Sequence, residues 1–173
     1  MPITIVAGDA GRIAEIASIA RRTWPSAYGD ILVPGQIEYM LGMMYSDNAL
    51  REQMSSRQHL FVMAEPAIEA GGVSVGFASF QLDYPQPGVT KIHKLYVLPE
   101  AQHLGVGKRL VRHIREVASA TQHALSLNVN KHNRARSFYA RLGFQVVAEE
   151  VIDIGDGYLM DDVIMRWDFA ACV

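Results

Sequence analysis

Apolar residues in the first third of the chain recur at the spacing of amphipathic helices, after a short strand predicted at residues 3–6. The helix predicted for residues 8–22 carries one apolar stripe, formed by Ile13, Ile16, Ile19 and Ala20. A second helical region begins after Pro34 and places four apolar residues on one face: Ile37, Met40, Leu41 and Met44. A third, shorter helix is predicted at residues 48–54. Helical segments therefore precede most of the strands.

Strand patterns dominate the middle of the chain. Residues 60–64 and 73–82 combine apolar and small residues, and a turn around Gly71 and Gly72 joins them, which predicts an antiparallel pair. Residues 91–98 mix apolar and aromatic residues and are followed by a proline, which ends a strand. These residues are predicted to form the fourth strand.

The last part of the chain alternates helices with strands. A helix at residues 105–121 connects the fourth strand to a fifth at residues 124–129. Because a strand, a crossover helix and a second strand return the chain in the same direction, the fourth and fifth strands are predicted to be parallel. A helix at residues 133–142 and strands at residues 144–152 and 159–167 close the chain. The remaining strand pairs can be antiparallel.

Composition narrows the class of protein. The 173 residues are 50% hydrophobic and 20% charged, which fits one globular domain spanning residues 1–173. The net charge of -2 disfavours nucleic-acid binding, and no apolar run reaches the roughly 18 residues that cross a bilayer. The single cysteine, Cys172, has no partner for an intramolecular disulfide, and the chain opens without a leader-like segment, so we expect a reduced, cytoplasmic protein.

Two glycines, Gly105 and Gly107, lie where the fourth strand passes into the next helix. Without side chains there, backbone N–H groups at the helix start can close on an anion such as a pyrophosphate. Lys108, Arg109 and Arg112 add positive charge in the first helical turns. The alternative is that the glycines only permit a tight connection between strand and helix.

Two better-known nucleotide motifs are absent from this segment. The loop has no Gly-Lys-Ser or Gly-Lys-Thr, and Leu110 stands where the dinucleotide-binding pattern requires its third glycine. The run Leu95-Tyr96-Val97-Leu98-Pro99-Glu100, followed by Gln102-x-x-Gly105-x-Gly107, instead resembles the coenzyme A-binding motif of the GNAT superfamily of N-acetyltransferases.

A second motif of that superfamily follows in the right order. Asn133-Arg134-Ala135-Arg136-Ser137-Phe138-Tyr139, with Leu142-Gly143-Phe144 after it, is similar to the pattern Asn-x-x-Ala-x-x-Phe-Tyr-x-x-x-Gly-Phe. Asn133 is one residue closer to the alanine than in the family, and His132 occupies the usual asparagine position. The resemblance implies an α/β (α+β) fold with a central mixed, mostly antiparallel sheet, a parallel pair at strands four and five, and helices on both faces.

The resemblance also implies acetyl-CoA as the cosubstrate and names the residues that bind it. Backbone groups of Leu95 and Val97 should pair with the pantetheine arm as another strand would. The phosphate loop comprises Gln102, His103, Leu104, Gly105, Val106, Gly107 and Lys108. Asn133 and Arg136 are expected to approach coenzyme A from the following helix, although Asn133 can equally cap that helix. The histidines show no ligand-like clustering, so no metal is expected.

Tyr139 is the catalytic acid that the resemblance implies. A phenol with a pKa near 10 can protonate the departing thiolate of coenzyme A. The alternative role of Tyr139 is aromatic packing against the sheet.

The base is less apparent, because many GNAT enzymes have a glutamate on the fourth strand and this strand contains no carboxylate. The period of two predicts that Lys91, His93 and Leu95 share one face, which makes His93 the candidate base. A histidine in a strand is also commonly a hydrogen-bonded structural residue, and a water is the other route for the proton.

The acceptor pocket of this superfamily commonly forms from the early helices and the connection between the last strands, here residues 24–45 and 155–162. Acidic and aromatic residues in and near these segments suit a cationic amine such as a polyamine, or are solvated loop charges: Tyr28, Asp30, Tyr39, Asp153, Asp156, Asp161 and Asp162. The leading function is acetylation of a small-molecule primary amine, by a monomer or a homodimer. The alternatives are a protein or peptide N-acetyltransferase and a non-catalytic acyl-CoA sensor.

Overall fold

A computed structural model of the chain describes residues 2–67 and 72–169, so the predictions that involve Gly71 and Cys172 lie outside the described residues. The strands are β1 (Ile3–Ala7), β2 (Leu60–Pro66), β3 (Gly76–Gln81), β4 (Val89–Val97), β5 (Ala124–Asn130), β6 (Gln145–Gly155) and β7 (Tyr158–Asp168). The helices are α1 (Ile13–Tyr28), α2 (Pro34–Tyr45), α3 (Asp47–Ser55), α4 (Val106–Ala118) and α5 (Ala135–Leu142).

All of these strands form one sheet in the order β1-β2-β3-β4-β5-β7-β6. The pair β4 and β5 is parallel, and each of the other neighbouring pairs is antiparallel. One buried cluster packs α4 and α5 on one face of the sheet, and a second packs α1, α2 and α3 on the opposite face. The predicted fold class, including the parallel pair and the helices on both faces, is confirmed.

The two parallel strands separate before either of them ends. Residues 89–92 of β4 pair with residues 124–127 of β5, whereas β4 continues to Val97 and β5 to Asn130. Leu98 donates its N–H to the Val75 carbonyl at 2.8 Å, on the β3 side. Because N–H groups alternate between the two edges of a strand, the backbone groups of Leu95 and Val97 face the gap between β4 and β5. This gap is the feature of the fold that positions the site.

A β-bulge interrupts β4 at His93. Lys94 pairs with Ser79 and Ile92 pairs with Phe80, so His93 is the extra residue. Ile92 and Leu95 pack in the cluster under α4 and α5, whereas Tyr96 packs in the cluster under α1 and α2. The prediction that Leu95 shares a face with His93 is therefore wrong, because one inserted residue changes the phase of the alternation.

Helix α1 begins and ends later than the pattern of apolar residues predicts. The Asp9 carboxylate accepts the Gly11 N–H at 2.9 Å and starts a 3₁₀ turn, so the α-helix begins only at Ile13. The helix continues through Pro25 to Tyr28, because Trp24 is buried in the core beneath it. Across residues 2–67 and 72–169, no helix combines the length and apolarity that spanning a membrane requires.

Candidate active site

A cavity of about 130 Å³ lies between α1 and α2 on one side and the separated ends of β4 and β5 on the other. Aromatic rings form part of the cavity wall. Among them, the Tyr28 and Tyr96 hydroxyl groups form a hydrogen bond with each other at 3.0 Å. Charged side chains from β4 and β7, Lys94 and Asp162, also line it. The cavity therefore combines a small apolar volume with a few polar groups, which is typical of a site for a small molecule.

Tyr139 reaches this cavity from α5. Its ring packs between Phe138 and Phe144, with centroid distances of 5.1 and 5.7 Å, and only 7% of the residue is exposed. No described residue forms a hydrogen bond with its hydroxyl. Burial, with a smaller contribution from Tyr28, raises the pKa of Tyr139, so the phenol is protonated at neutral pH and can donate a proton. The predicted acid is thus in the cavity and in the required protonation state.

The cap of α5 explains how Tyr139 is held. Asn133 lies one residue before the N-cap Arg134 and accepts the Ala135 N–H through its side-chain oxygen at 2.8 Å, which forms an Asx turn. Gly143 ends the helix in the left-handed conformation with φ of 112°. Asn133 also lines the cavity. Arg136 donates to the Lys131 carbonyl at 2.6 Å and so braces the turn before the helix. Both residues have a structural role that is compatible with the predicted contact to coenzyme A.

His93 lies at the bulge and contributes to the cavity wall. Its ring stacks on His59 with a centroid distance of 3.9 Å, and its Nε2 forms a hydrogen bond with Gln81 at 3.1 Å. Burial, with smaller contributions from His59 and the neighbouring cations, lowers the pKa of His93 to about 3. The imidazole is therefore neutral at physiological pH, as a base must be, but it holds a proton weakly.

Lys94 is the site residue that the sequence pattern missed. It is 8% exposed, and its ammonium donates to the Gln53 side-chain oxygen at 2.7 Å. Its nitrogen also lies 5.7 Å from the centre of the Tyr45 ring. Burial, with the nearby Arg57, lowers the pKa of Lys94 to about 8. A lysine in a strand is ordinarily exposed, and the bulge that determines which covered face this one occupies is not indicated by the residue types.

Among the acidic residues predicted for the pocket, Asp162 is the buried one that lines the cavity. Asn128 links Asp162 to Lys91, because it accepts from the Lys91 ammonium and lies 3.5 Å from the Asp162 carboxylate. Burial raises the pKa of Asp162. The other acids predicted for the pocket do not line it: Asp30, Asp153 and Asp156 are exposed, and Asp161 pairs with Lys131. Tyr39 instead donates to the Ile154 carbonyl at 2.7 Å.

The start of α4 has the form of an anion site. Gly105 has φ of 75°, in the left-handed region that favours glycine, and no side chain caps the first amides of the helix. A Cβ on Gly107 would lie 3.1 Å from the Phe138 ring, so the glycine also allows α4 to approach α5 closely. Lys108 and Arg109 are exposed beside these amides. The observed backbone therefore fits a bound phosphate group.

The other loop residues surround this helix start. Gln102 donates its side-chain amide to the Val97 carbonyl at 3.2 Å, which fixes the loop to the end of β4. His103 and Leu104 are exposed, whereas Val106 is fully buried under the helix. The gap beside β4 and the open helix start are adjacent in the chain, so one extended ligand with a phosphate end fits both. Within residues 2–67 and 72–169, no group of three or more His, Cys, Asp or Glu side chains is placed to hold a metal ion.

Comparison with known proteins identifies the family. The model of the acetyltransferase (GNAT) domain matches residues 32–159. A 5-NmdU N-acetyltransferase of Pseudomonas phage PaMx11 is 46% identical over 63 residues, which are 36% of this chain and 44% of that protein. An uncharacterized N-acetyltransferase of Lactobacillus delbrueckii subsp. lactis is 24% identical over 161 residues, 89% of this chain and 91% of the relative.

A solved structure shares the fold. The crystal structure of PaiA N-acetyltransferase from Thermoplasma acidophilum, in complex with coenzyme A, has a TM-score of 0.78 and 24% sequence identity. The match covers 98% of this chain and 100% of that one. Because the family model covers most of the sequence, the chain belongs to the GNAT acetyltransferase family. It is an acetyl-CoA-dependent acyltransferase.

Proposed function

We propose that this protein transfers an acetyl group from acetyl-CoA to the primary amine of a small molecule. The observation that carries the proposal is the cavity of about 130 Å³ that opens at the gap between β4 and β5 and contains the Tyr139 ring in its wall. A volume of this size suits a small acceptor better than a peptide, which needs an open groove. The open backbone of β4 and the acceptor cavity adjoin each other, as acyl transfer requires.

The donor site is formed mainly by backbone groups. The amides at the start of α4 bind the phosphates, and the exposed Lys108 adds charge beside them. The gap-facing groups of Leu95 and Val97 hold the pantetheine arm, and the Val97 N–H polarises the carbonyl that reacts. When bound, acetyl-CoA supplies a thioester-activated acetyl group.

Two proton transfers are required of the protein's own groups. An alkylamine with a pKa near 10.4 is mostly protonated at neutral pH, so the acceptor must lose a proton before it attacks. Tyr139 supplies the second transfer, because its buried phenol carries a proton throughout the neutral range and points into the same cavity. It protonates the leaving sulfur.

His93 receives the first proton, directly or through a water held in the cavity. Its ring is neutral and lies on the cavity wall, which favours the role. Because the pKa of His93 is far below that of the amine, the imidazole does not retain the proton, which passes to solvent water. A rate profile controlled by His93 therefore lacks the ionisation near pH 6.5 that an exposed histidine produces.

The name of one relative supports acetylation of an amine as the type of reaction. The phage protein is named a 5-NmdU N-acetyltransferase, but its match spans less than half of that protein, so the acceptor of this chain is inferred from the cavity alone. A peptide acceptor is the second candidate, and an acyl-CoA sensor without turnover is the third. A cytoplasmic location and a homodimer stay predictions of the sequence.

The test is release of coenzyme A from acetyl-CoA in the presence of a panel of diamines, amino acids, aminoglycosides and short peptides, with mass spectrometry of each product. The proposal expects acetylated small amines and slow or absent reaction with peptides. Preferential acetylation of peptides would favour the second candidate. Binding of acetyl-CoA without acetylation of any panel member would favour the sensor.

A further inference from the structure

Lys94 has more hydrogen-bond donors than the surrounding residues satisfy. Its ammonium has three N–H groups, and its one acceptor among the described residues is Gln53, at 2.7 Å. No carboxylate of the described residues lies within 4.0 Å of this nitrogen, although the residue is only 8% exposed. A buried charge without an opposite charge is costly, so a native lysine in this position calls for a partner.

Two neutral donors accompany Lys94 in the same cavity wall. The Tyr45 hydroxyl and the Trp24 indole N–H are buried and have no hydrogen-bond partner among the described residues. The Tyr45 ring lies 5.7 Å from the Lys94 nitrogen and 5.8 Å from the Trp24 ring. Buried polar groups are ordinarily paired, and here the unpaired groups are all able to donate. A ligand group rich in acceptor atoms matches them.

The charges around this wall favour an anion over a second ammonium. Lys94 is the charged side chain of the β4 wall, because the neighbouring His93 imidazole is neutral. The exposed Arg57 is close enough to lower the pKa of Lys94 together with burial. The acidic residue of the cavity, Asp162, is on β7 and is linked through Asn128 to Lys91. The cavity thus has a cationic wall on β4 and a carboxylate on β7.

We propose that the acceptor amine carries a carboxylate or a similar anionic group, and that Lys94 binds this group with Tyr45 and Trp24. The inference rests on the proposed function and adds the class of acceptor to it: an amino acid or ω-amino acid rather than a polyamine. Lys94 is then a specificity-determining residue, and the reacting amine extends from the anionic group towards Tyr139.

The test compares kcat/KM for a homologous series of ω-amino acids, the matching ω-amino amides and the matching diamines. The wild-type protein should prefer the best amino acid over its amide by about tenfold to a hundredfold, the usual effect of a hydrogen-bonded charge pair. The diamine of the same length should be the poorest acceptor. Lys94→Gln should reduce the ratio of acid to amide to near one, because the loss falls on the acids.

Two further variants separate recognition of the anionic group by Lys94 from loss of folding and from the effect of nearby exposed charges. Lys94→Met tests the loss of charge with an apolar side chain of similar length, and thermal protection by acetyl-CoA shows that each variant is folded. Arg57→Gln removes an exposed positive charge near Lys94 that is outside the cavity wall. Its acid-to-amide ratio should stay within about threefold of the wild-type value, because exposed charges are screened.

Several results would overturn the inference. Equal loss of activity towards acids and amides in Lys94→Gln would assign the residue to catalysis or structure, and wild-type preference for amides or diamines would exclude anion recognition. If no acceptor releases coenzyme A, the proposed function fails separately. Calorimetric binding of N-acetylated ω-amino acids and their amides, with coenzyme A present, then tests Lys94 without turnover. Tighter binding of the acids than of the amides by the wild-type protein, lost in Lys94→Gln, would support the inference. Equal affinities for acids and amides in the wild-type protein would refute it.

Discussion

Replacement of Tyr139 by phenylalanine separates the chemistry of the hydroxyl from the packing of the ring. The ring is 7% exposed and contacts Phe138 and Phe144, and these contacts survive the change. Because no described residue bonds to the hydroxyl, its removal should alter the free energy of unfolding by less than about 1 kcal/mol. Tyr139→Ala, which removes the ring, should cost about 3 to 5 kcal/mol.

The effect on turnover should be much larger than the effect on stability. Loss of a general acid typically slows a reaction by about a hundredfold to ten-thousandfold, or roughly 3 to 5 kcal/mol of activation free energy. Binding of acetyl-CoA should change little, because Tyr139 lies outside the proposed donor site at β4 and the start of α4. The expected pattern is therefore a folded protein that binds acetyl-CoA and turns over very slowly.

Single-turnover kinetics with saturating acetyl-CoA and a good amine acceptor measure the chemical step and exclude a masking effect of slow product release. Tyr158→Phe is the matched control, because this tyrosine packs on Tyr39 at 5.4 Å and does not line the cavity. It should retain nearly the full rate. A near-normal single-turnover rate in Tyr139→Phe would refute the assignment of the acid, and loss of folding would assign the hydroxyl a structural role.

Other consequences of the site can be measured directly. Acetyl-CoA at a hundred times its Kd should stabilise the native protein by about 2.7 kcal/mol. Gly105→Glu strains a backbone with φ of 75° and should remove the thermal shift. An unchanged shift in this variant would contradict the loop assignment. Because the pKa of His93 is about 3, its NMR titration should show no ionisation near pH 6.5. The folded state should lose stability as pH falls from about 6.5 to about 3, and this loss should be smaller in His93→Gln. A His93 titration near pH 6.5 would contradict the buried environment. Ile114→Ala, at a fully buried position of α4, should cost about 2 to 5 kcal/mol in denaturant unfolding, and a loss below about 1 kcal/mol would count against the packing of α4.

The parts of the fold that local rules determine were predictable from the sequence. The crossover helix between residues 91 and 129 requires a parallel pair, and Gly105 marks the strand-to-helix turn because its backbone is left-handed. These two features are enough to predict where the donor binds. They do not depend on which face of β4 each side chain occupies.

The acceptor side depends on features that have no local signal. The bulge at His93 changes which face of the sheet each side chain of β4 occupies, and no glycine or proline in the strand indicates it. Lys94 lies on the face covered by α2 and α3. Helix α1 passes through Pro25 because the burial of Trp24 outweighs the lost backbone hydrogen bond. Asp162 is buried whereas Asp161 forms an exposed ion pair, a difference that the strand's alternation permits but its residue types do not reveal.

The fate of the acetyl group shows directly whether the protein acetylates an amine. Acetyl-CoA carrying a ¹³C-labelled acetyl group is incubated with the wild-type protein and a primary amine from the panel, and the product is analysed by mass spectrometry and NMR. We expect one labelled acetyl group on the amine nitrogen for each coenzyme A released, with the rate reduced by about a hundredfold or more in Tyr139→Phe. Release of coenzyme A with the label recovered as free acetate, or with no label on nitrogen for any amine, would contradict it.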